Sequence, residues 1–233
     1  MPGPHYQNRI LASLPREAIA RLAPHLLPVT LLQGQTLLGA GQKIHYAYFL
    51  EAGLASVVTT MKNKTSVEVA VVGKDGMVGL PALLDTGSMP NRAFIQIPGA
   101  GFRIRASALS REFERRGKLR QKLQRYFQAH LVQASQTAAC NRLHEISERL
   151  ARWLLLCMDR IGSSQLEMTH QSLAAMLGTP RPTVTLAART LQKVGLIEYS
   201  RGHVRILNRK GLEKASCECY DTIQKECRRL GVF

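Results

Sequence analysis

The chain has 233 residues, 45% of them hydrophobic and 21% charged, a globular composition that excludes a disordered tail or a fibre and leaves room for two modest domains. A total of 32 Lys and Arg against 16 Asp and Glu gives a formal net charge of +16, a field that attracts a polyanion, either nucleic acid or an acidic membrane surface. No apolar run long enough to span a bilayer occurs, Met1 to Ile10 lacks the apolar core of a secretion signal, and five cysteines (Cys140, Cys157, Cys217, Cys219, Cys227) form no disulfide framework, so a cytoplasmic protein with reduced thiols and no membrane partner is expected.

From Ala12 to Leu27 the apolar residues Leu14, Ile19, Leu22 and Leu26 recur near helical spacing, which predicts one short leading helix. From about Pro28 to Arg105 short runs rich in Val, Ile, Leu, Tyr and Phe alternate with Gly, Pro, Asn and Asp. Strands are expected at Tyr46–Leu50, Leu54–Thr60, Val67–Val72, Ala93–Ile97 and Gly101–Ile104, and their regular spacing suggests a compact antiparallel roll. Residues 100–125 form the most basic block, with Arg103, Arg105, Arg111, Arg115, Arg116, Lys118, Arg120, Lys122 and Arg125 against two acidic residues. That block fits either DNA flanking a specific site or a solvated helix face.

Beyond Arg105 a helical period takes over. Leu119, Leu123, Phe127, Leu131, Ala134 and Ala138 step by three or four residues as one apolar stripe, which must be buried. Packing against the chain's own roll would bury it, and so would a two-helix seam between two subunits; the small residues at its end favour the seam. A further helix is expected over Asn141–Asp159, with Ile146, Leu150, Trp153, Leu154 and Cys157 on one face.

The segment from Leu166 to Ile206 carries the most specific pattern. Thr169 can cap a helix running to Leu177, where Gly178 ends it in a left-handed conformation. Thr179-Pro180-Arg181-Pro182 makes a turn into a second helix, Thr183–Val194, stopped by Gly195. Val184, Ala187, Ala188 and Leu191 face inward, leaving Arg181, Thr183, Thr185 and Arg189 outward. Two short β-like runs, Leu196–Tyr199 and Val204–Leu207, flank a basic turn. Helix, turn, helix, strand, basic turn, strand is the order of a winged helix-turn-helix, whose second helix fits the major groove of double-stranded DNA. Arg181 is the first candidate for base reading, because a guanidinium donates twice to guanine O6 and N7. Thr169, His170 and Gln171 at the first helix start, and Arg201 and His203 on the wing, are candidates for phosphate contact.

At this point the sequence resembles the Crp/Fnr family of cyclic-AMP receptor proteins and fumarate-nitrate regulators over nearly its whole length. Leu177-Gly178-Thr179-Pro180-Arg181-Pro182-Thr183-Val184 is similar to the family's reading-helix motif, and Leu191-Gln192-Lys193-Val194-Gly195-Leu196-Ile197 to its continuation into the wing. Pro182 stands where many members carry an acidic residue, and Leu186 where cyclic-AMP receptor proteins carry a second arginine, so a different operator is expected. Gly34-Gln35-Thr36-Leu37, Gly41 and Tyr48-Phe49-Leu50-Glu51-Ala52-Gly53 resemble the family's β-roll.

The resemblance implies an α+β protein in three parts: a leading helix and antiparallel β-roll of cyclic-nucleotide-binding type (1–105), a long dimerisation helix region (106–140) and a C-terminal winged helix-turn-helix domain (141–233). It further implies a homodimer on an inverted-repeat operator, with RNA polymerase as a protein partner. The effector cassette departs from the family's Gly-Glu-Leu and Arg-Ser-Ala form: here it reads Gly79-Leu80-Pro81 and Asn91-Arg92-Ala93, with Ser135 on the long helix as a further candidate. Leu80 cannot accept a hydrogen bond from a ribose hydroxyl, so cyclic AMP is disfavoured as effector and no cofactor is assigned.

No cysteine precedes Cys140, which removes the iron-sulfur mechanism of the oxygen-sensing branch. Cys217-Glu218-Cys219 with Cys227 could gather three thiolates, but the spacing is no recognised zinc pattern and positions 217 and 219 diverge on a helix, so no metal site is expected. His45, His130 and His144 lack the context of haem ligands. With no phosphate loop, nucleophile elbow or His-Glu-x-x-His pattern, no enzymatic activity is expected. The competing reading is a β-roll regulatory subunit acting through protein contacts, its C-terminal part serving only as an interaction module.

Overall fold

The computed structural model describes residues 5–84 and 86–232; Met1 to Pro4 of the N-terminal stretch read above lie outside the described residues. The leading helix is two pieces, α1 (Arg9–Ala12) and α2 (Arg16–Leu22), because Pro15 cannot continue a helix. Asn8 caps α1 by accepting from the Ile10 and Leu11 N–H groups. Its own Nδ2 donates to Leu50 O (3.0 Å) and Gly76 O (2.8 Å), anchoring the entry to the roll.

Eight strands form the roll as two antiparallel four-stranded sheets. One orders β1 (Leu27–Leu31), β8 (Gly99–Arg105), β3 (Tyr46–Leu50) and β6 (Met77–Val78); the other orders β2 (Thr36–Leu38), β7 (Arg92–Ile97), β4 (Leu54–Thr60) and β5 (Ser66–Val72). At the β3–β4 turn Gly53 has φ +86, and a Cβ there would lie 2.7 Å from Ile97 O, so only glycine fits. The roll interior is filled by Leu31, Leu38, Leu50, Ala55, Val57, Ala70, Val72 and Ile95.

Strand β4 is buried on both faces. Ala55 and Val57 point into the roll, while Leu54 and Val58 join the core of the C-terminal helices with Trp153, Leu154 and Met176. The two parts therefore share a continuous core, where the composition had suggested one core for each.

After β8 the chain forms α3 (Ala106–Glu114), breaks at Arg116 (φ 57) and Gly117, and continues as α4 (Lys118–Leu143), a helix of about 39 Å at 1.5 Å per residue. Helix α5 (Ile146–Ile161) starts five residues later than expected, because His144 is extended and Glu145 and Glu148 form a reciprocal capping box. The C-terminal part adds β9 (Gln165–Glu167), α6 (His170–Leu177), α7 (Arg181–Lys193), β10 (Ile197–Ser200), β11 (His203–Ile206), α8 (Arg209–Ala215) and α9 (Cys219–Arg229). Among the described residues no helix is long and apolar enough to cross a membrane.

The apolar stripe read on the long helix is split by the structure. Leu119 and Leu123 are buried in their own protomer against the leading helices and Leu109, so they cannot belong to an intersubunit seam. Phe127 (44% exposed) and Leu131 (58%) lie on the solvent side, Ala138 is exposed and Ala134 half-buried. The buried face of α4 runs instead through Tyr126, Ala129, Gln133, Thr137 and Cys140.

Candidate nucleic-acid interface

The helix-turn-helix is built by local signals that the sequence carries. Thr169 Oγ1 accepts from Ser172 N (3.0 Å) and caps α6; Gly178, with φ +60, closes it. Arg181 and Pro182 open α7, whose face of Val184, Ala187, Ala188 and Leu191 is buried in the C-terminal core. That fixes the rotation of α7 and leaves Arg181 and Arg189 exposed, Thr183 and Thr185 half-buried. Leu186 is 67% exposed on the same helix, an apolar side chain able to meet a thymine methyl. In the sequence Leu186 stands out only as a missing arginine.

The wing is a three-stranded sheet in the order β10-β11-β9, of which only the first two strands are expected from the sequence. Ser200 pairs with His203, so the loop is Arg201-Gly202, both with positive φ (45 and 85), the geometry of a tight two-residue hairpin turn. Arg201 and His203 are exposed at this tip.

His170 is engaged inside the domain rather than offered to a phosphate. Its ring stacks on Tyr199 (centroids 4.0 Å apart, planes 10° apart), and Nδ1 lies 3.2 Å from Thr185 Oγ1, which itself donates to Arg181 O (3.0 Å). Nε2 is buried without a hydrogen-bond partner. Burial, with Arg181 and Arg189 nearby, lowers its pKa and favours the neutral ring. His170 and Thr185 thus orient the start of α7. Thr169 and Gln171 remain exposed at the α6 N-terminus.

The helix-turn-helix sits on the roll. Gly178 lies against Val67 of β5, where a Cβ would come within 2.6 Å of Val67 Cγ2. Beside it a cleft of about 880 Å³ is bounded by Lys64, Arg92 and Gln96 on one side and Gln171, Thr179 and Arg181 on the other. A buried polar seam continues this contact. Glu68 of β5 accepts from Ser56 Oγ (2.5 Å) and Trp153 Nε1 (2.6 Å), and Arg160 of α5 pairs with Asp75 (3.3 Å) and donates to Val71 O and Gln133 Oε1. Burial raises Glu68 to about 7 against these hydrogen bonds and the Arg152 and Arg160 charges.

The expected effector residues are not gathered in one place. Leu80, in a short 3-10 turn after Gly79 (φ +103), lines a cavity with Phe113, Leu123 and Phe127, whereas Arg92 opens onto the cleft facing the helix-turn-helix and stacks over Phe94 (4.4 Å). Asn91 is held by Thr59 Oγ1 (2.7 Å), Ala93 is buried in the roll interior, and Ser135 is exposed on α4. The basic block lies at the α3 end of α4, and part of it is satisfied locally: Arg103 over Tyr46, Arg120 over Phe113, Arg115 paired with Glu112, and Lys122 donating to Gly231 O. With these charges met inside the chain, the block fits the solvated-face reading better than a DNA surface.

Of the residues weighed as metal or haem ligands, His130 faces Tyr126 on α4 and burial lowers it to about 4. Cys227 is buried on α9 apart from Cys217 and Cys219. His144 and Cys140, in contrast, meet Cys217 and Cys219.

A model of the cyclic nucleotide-binding domain matches residues 28–116, and a model of the Crp-like helix-turn-helix domain matches residues 148–215. Among solved structures, FixK2 from Bradyrhizobium japonicum superimposes with a TM-score of 0.71 at 17% identity, covering 82% of this chain and 98% of its own. A candidate Crp/Fnr transcriptional regulator from Eubacterium rectale gives 0.70 at 16%, covering 90% and 98%. The c-di-GMP responsive global regulator CLP of Xanthomonas campestris gives 0.65 at 16%, covering 82% and 99%. At these identities the likeness concerns the fold. No curated protein matches the chain.

Proposed function

Since the chain belongs to the Crp/Fnr family of DNA-binding transcription regulators, with a cyclic nucleotide-binding-type roll before a Crp-like helix-turn-helix, we propose that it acts as a homodimer on an inverted-repeat operator, reading each half-site with α7. The observation that carries this is the fixed rotation of α7: its apolar face is locked in the core, and Arg181 stands exposed at its N-terminal end, the end that enters the major groove. Arg181 is the principal base reader, with Thr183, Leu186 and Arg189 beside it. Thr169, Gln171, Arg201 and His203 contact phosphate and set register.

The exposed Phe127, Leu131 and Ala138 of α4 supply the two-fold seam, without Leu119 and Leu123. RNA polymerase is the proposed protein partner, the cytoplasm the proposed compartment, and no turnover is assigned to the chain. Cyclic AMP is a poor fit as effector. Leu80 offers no acceptor for the ribose hydroxyl, Arg92 points outward over Phe94 rather than into the roll, and apolar side chains fill the roll interior.

Selection from random duplex DNA tests the reading. An enriched inverted repeat, with half-sites about one helical turn apart, is expected. Arg181→Ala should weaken operator binding by about 1–3 kcal/mol and relax one base position per half-site. An operator preference unchanged in that variant would overturn the assignment, and retention of the native chain without any sequence preference would favour the β-roll regulatory subunit.

A further inference from the structure

Four side chains from distant parts of the sequence converge where α4 ends. Cys140 lies in the last turn of α4 and His144 one turn further on; Cys217 precedes α9 and Cys219 is its first residue. Their ligand atoms, three Sγ and one imidazole nitrogen, all lie within 4.8 Å of one another. The Cys140 and Cys217 sulfurs are 3.4 Å apart, and Cys219 Sγ is 3.7 Å from His144 Nδ1. The three cysteines are buried and form a cluster separate from the apolar cores.

We propose that Cys140, His144, Cys217 and Cys219 form a tetrahedral Cys₃His site for a zinc-type divalent cation, stapling the end of α4 to α9. Bond lengths of about 2.3 Å to sulfur and about 2.0 Å to nitrogen in a tetrahedron put ligand atoms about 3.5–3.8 Å apart, within about 0.4 Å of the 3.4 Å sulfur–sulfur and 3.7 Å sulfur–nitrogen separations. Thiolate and imidazole donors select zinc over magnesium or calcium, which take oxygen.

The surroundings are those of a metal site. The other nitrogen of His144, Nε2, lies 3.1 Å from Glu218 Oε2, so the carboxylate between the two cysteine ligands fixes the ring with Nδ1 toward the sulfurs. Arg149 and Arg152 lie close enough to act electrostatically on Cys140, and the Nε atoms of both are buried without partners. Three thiolates and a divalent cation leave one net negative charge, which these guanidiniums offset. All four positions are filled by protein, so the site is structural or regulatory rather than catalytic. Residues 217 and 219 would diverge on a shared helix, but they do not share one. Cys217 precedes α9, in a turn closed by Tyr220 N donating to Cys217 O (3.1 Å), and both thiols reach one point.

The test uses the full chain, reduced, stripped with a chelator and titrated with Co²⁺. One cobalt per chain is expected, with the ligand-field bands of a tetrahedral ion and sulfur-to-cobalt charge transfer, both abolished by one equivalent of Zn²⁺. Glu218→Gln should weaken zinc about ten- to a hundredfold in competition with a chromogenic chelator. Cys227→Ser, outside the cluster, should leave affinity unchanged. A hexacoordinate cobalt spectrum in the native chain would overturn the proposal without recourse to any variant. So would full binding by the Cys217→Ser/Cys219→Ser chain, or no metal taken up by a native chain whose five thiols all titrate as reduced. None of these readouts involves DNA, so the site stands or falls apart from the operator reading.

Discussion

Glu68 makes folding stability depend on pH in a way that one substitution isolates. Its carboxyl is buried between β5 and α5, and burial lifts it from an ordinary 4.5 to about 7. A group whose folded pKa is raised contributes stability that is complete below its unfolded pKa, declines as pH rises, and is gone once pH has passed the folded value. Here the decline runs from about 4.5 to about 7, at about 1.4 kcal/mol for each pKa unit, so about 3 kcal/mol separates pH 4 from pH 8.

Glu68→Gln preserves the geometry, with Oε1 accepting from Trp153 Nε1 and the amide donating to Ser56 Oγ, and it removes the titration. Urea unfolding of both chains from pH 4 to pH 8 should therefore show the variant gaining about 3 kcal/mol on the native chain across that range, with most of the gain complete by pH 7. Taking the difference between the two chains cancels every other titrating group. Parallel pH profiles would mean that Glu68 ionises freely in the folded state and that the α5–β5 seam is wetter than the hydrogen bonds imply.

Two further outcomes probe how the parts meet. Leu131→Glu places a charge on the exposed face of α4 while sparing the buried one, so it should convert a dimer to a monomer at micromolar concentration in analytical ultracentrifugation without changing the circular dichroism; an unchanged sedimentation coefficient would place the two-fold contact elsewhere. Gly178→Ala and Gly195→Ala both put a side chain at positive φ, which costs about 1 kcal/mol, but only the first drives its Cβ into Val67, Gly195 having open space. Thermal or urea unfolding should show the larger loss for Gly178→Ala, and equal losses would mean that the helix-turn-helix does not rest on β5 in solution.

Much of the fold was legible because it is written in local signals. The strands expected at Tyr46–Leu50 and Leu54–Thr60 fall on the observed residues, and Thr169, Gly178 and Gly195 mark the reading helices by capping chemistry alone. Strands β1 and β2 escaped because Pro28 and the Gly34-Gln35 turn break any alternation, and β6 has only two residues. The long-helix stripe misled for a geometric reason. Steps of four residues rotate about 40° past a full turn each time, so Leu119, Leu123, Phe127 and Leu131 wind from the core side of α4 to its solvent side. The face that is buried advances by threes and fours through Leu119, Leu123, Tyr126, Ala129, Gln133, Thr137 and Cys140 and includes polar residues that an apolar pattern omits. The cysteine cluster was hidden by distance, since its halves lie 77 residues apart in sequence and Cys227 stood nearer as a false partner.

Strand β5 touches every part that regulation would have to connect. Ala70 and Val72 face the roll interior, where a ligand would be felt; Val71 packs into the C-terminal core; Glu68 holds Trp153 of α5; Val67 bears on Gly178 at the turn that aims α7. The pairing of β5 skips Val69 between Ala70 and Glu68, which sets Glu68 beside Val58 and the C-terminal core while Ala70 and Val72 face the roll, so a shift of β5 is felt on both of its sides. The outer contacts are of two kinds. Val67 against Gly178 is a steric stop with no room for a methyl group, whereas Glu68 with Ser56 and Trp153 is a short hydrogen-bonded hinge. A stop and a hinge on adjacent residues resist different motions: the first blocks closure of the reading head onto the roll, the second opposes its departure. On the proposed reading, weakening the hinge alone would free the head to swing outward while the stop still prevented collapse, and that motion would displace Arg181.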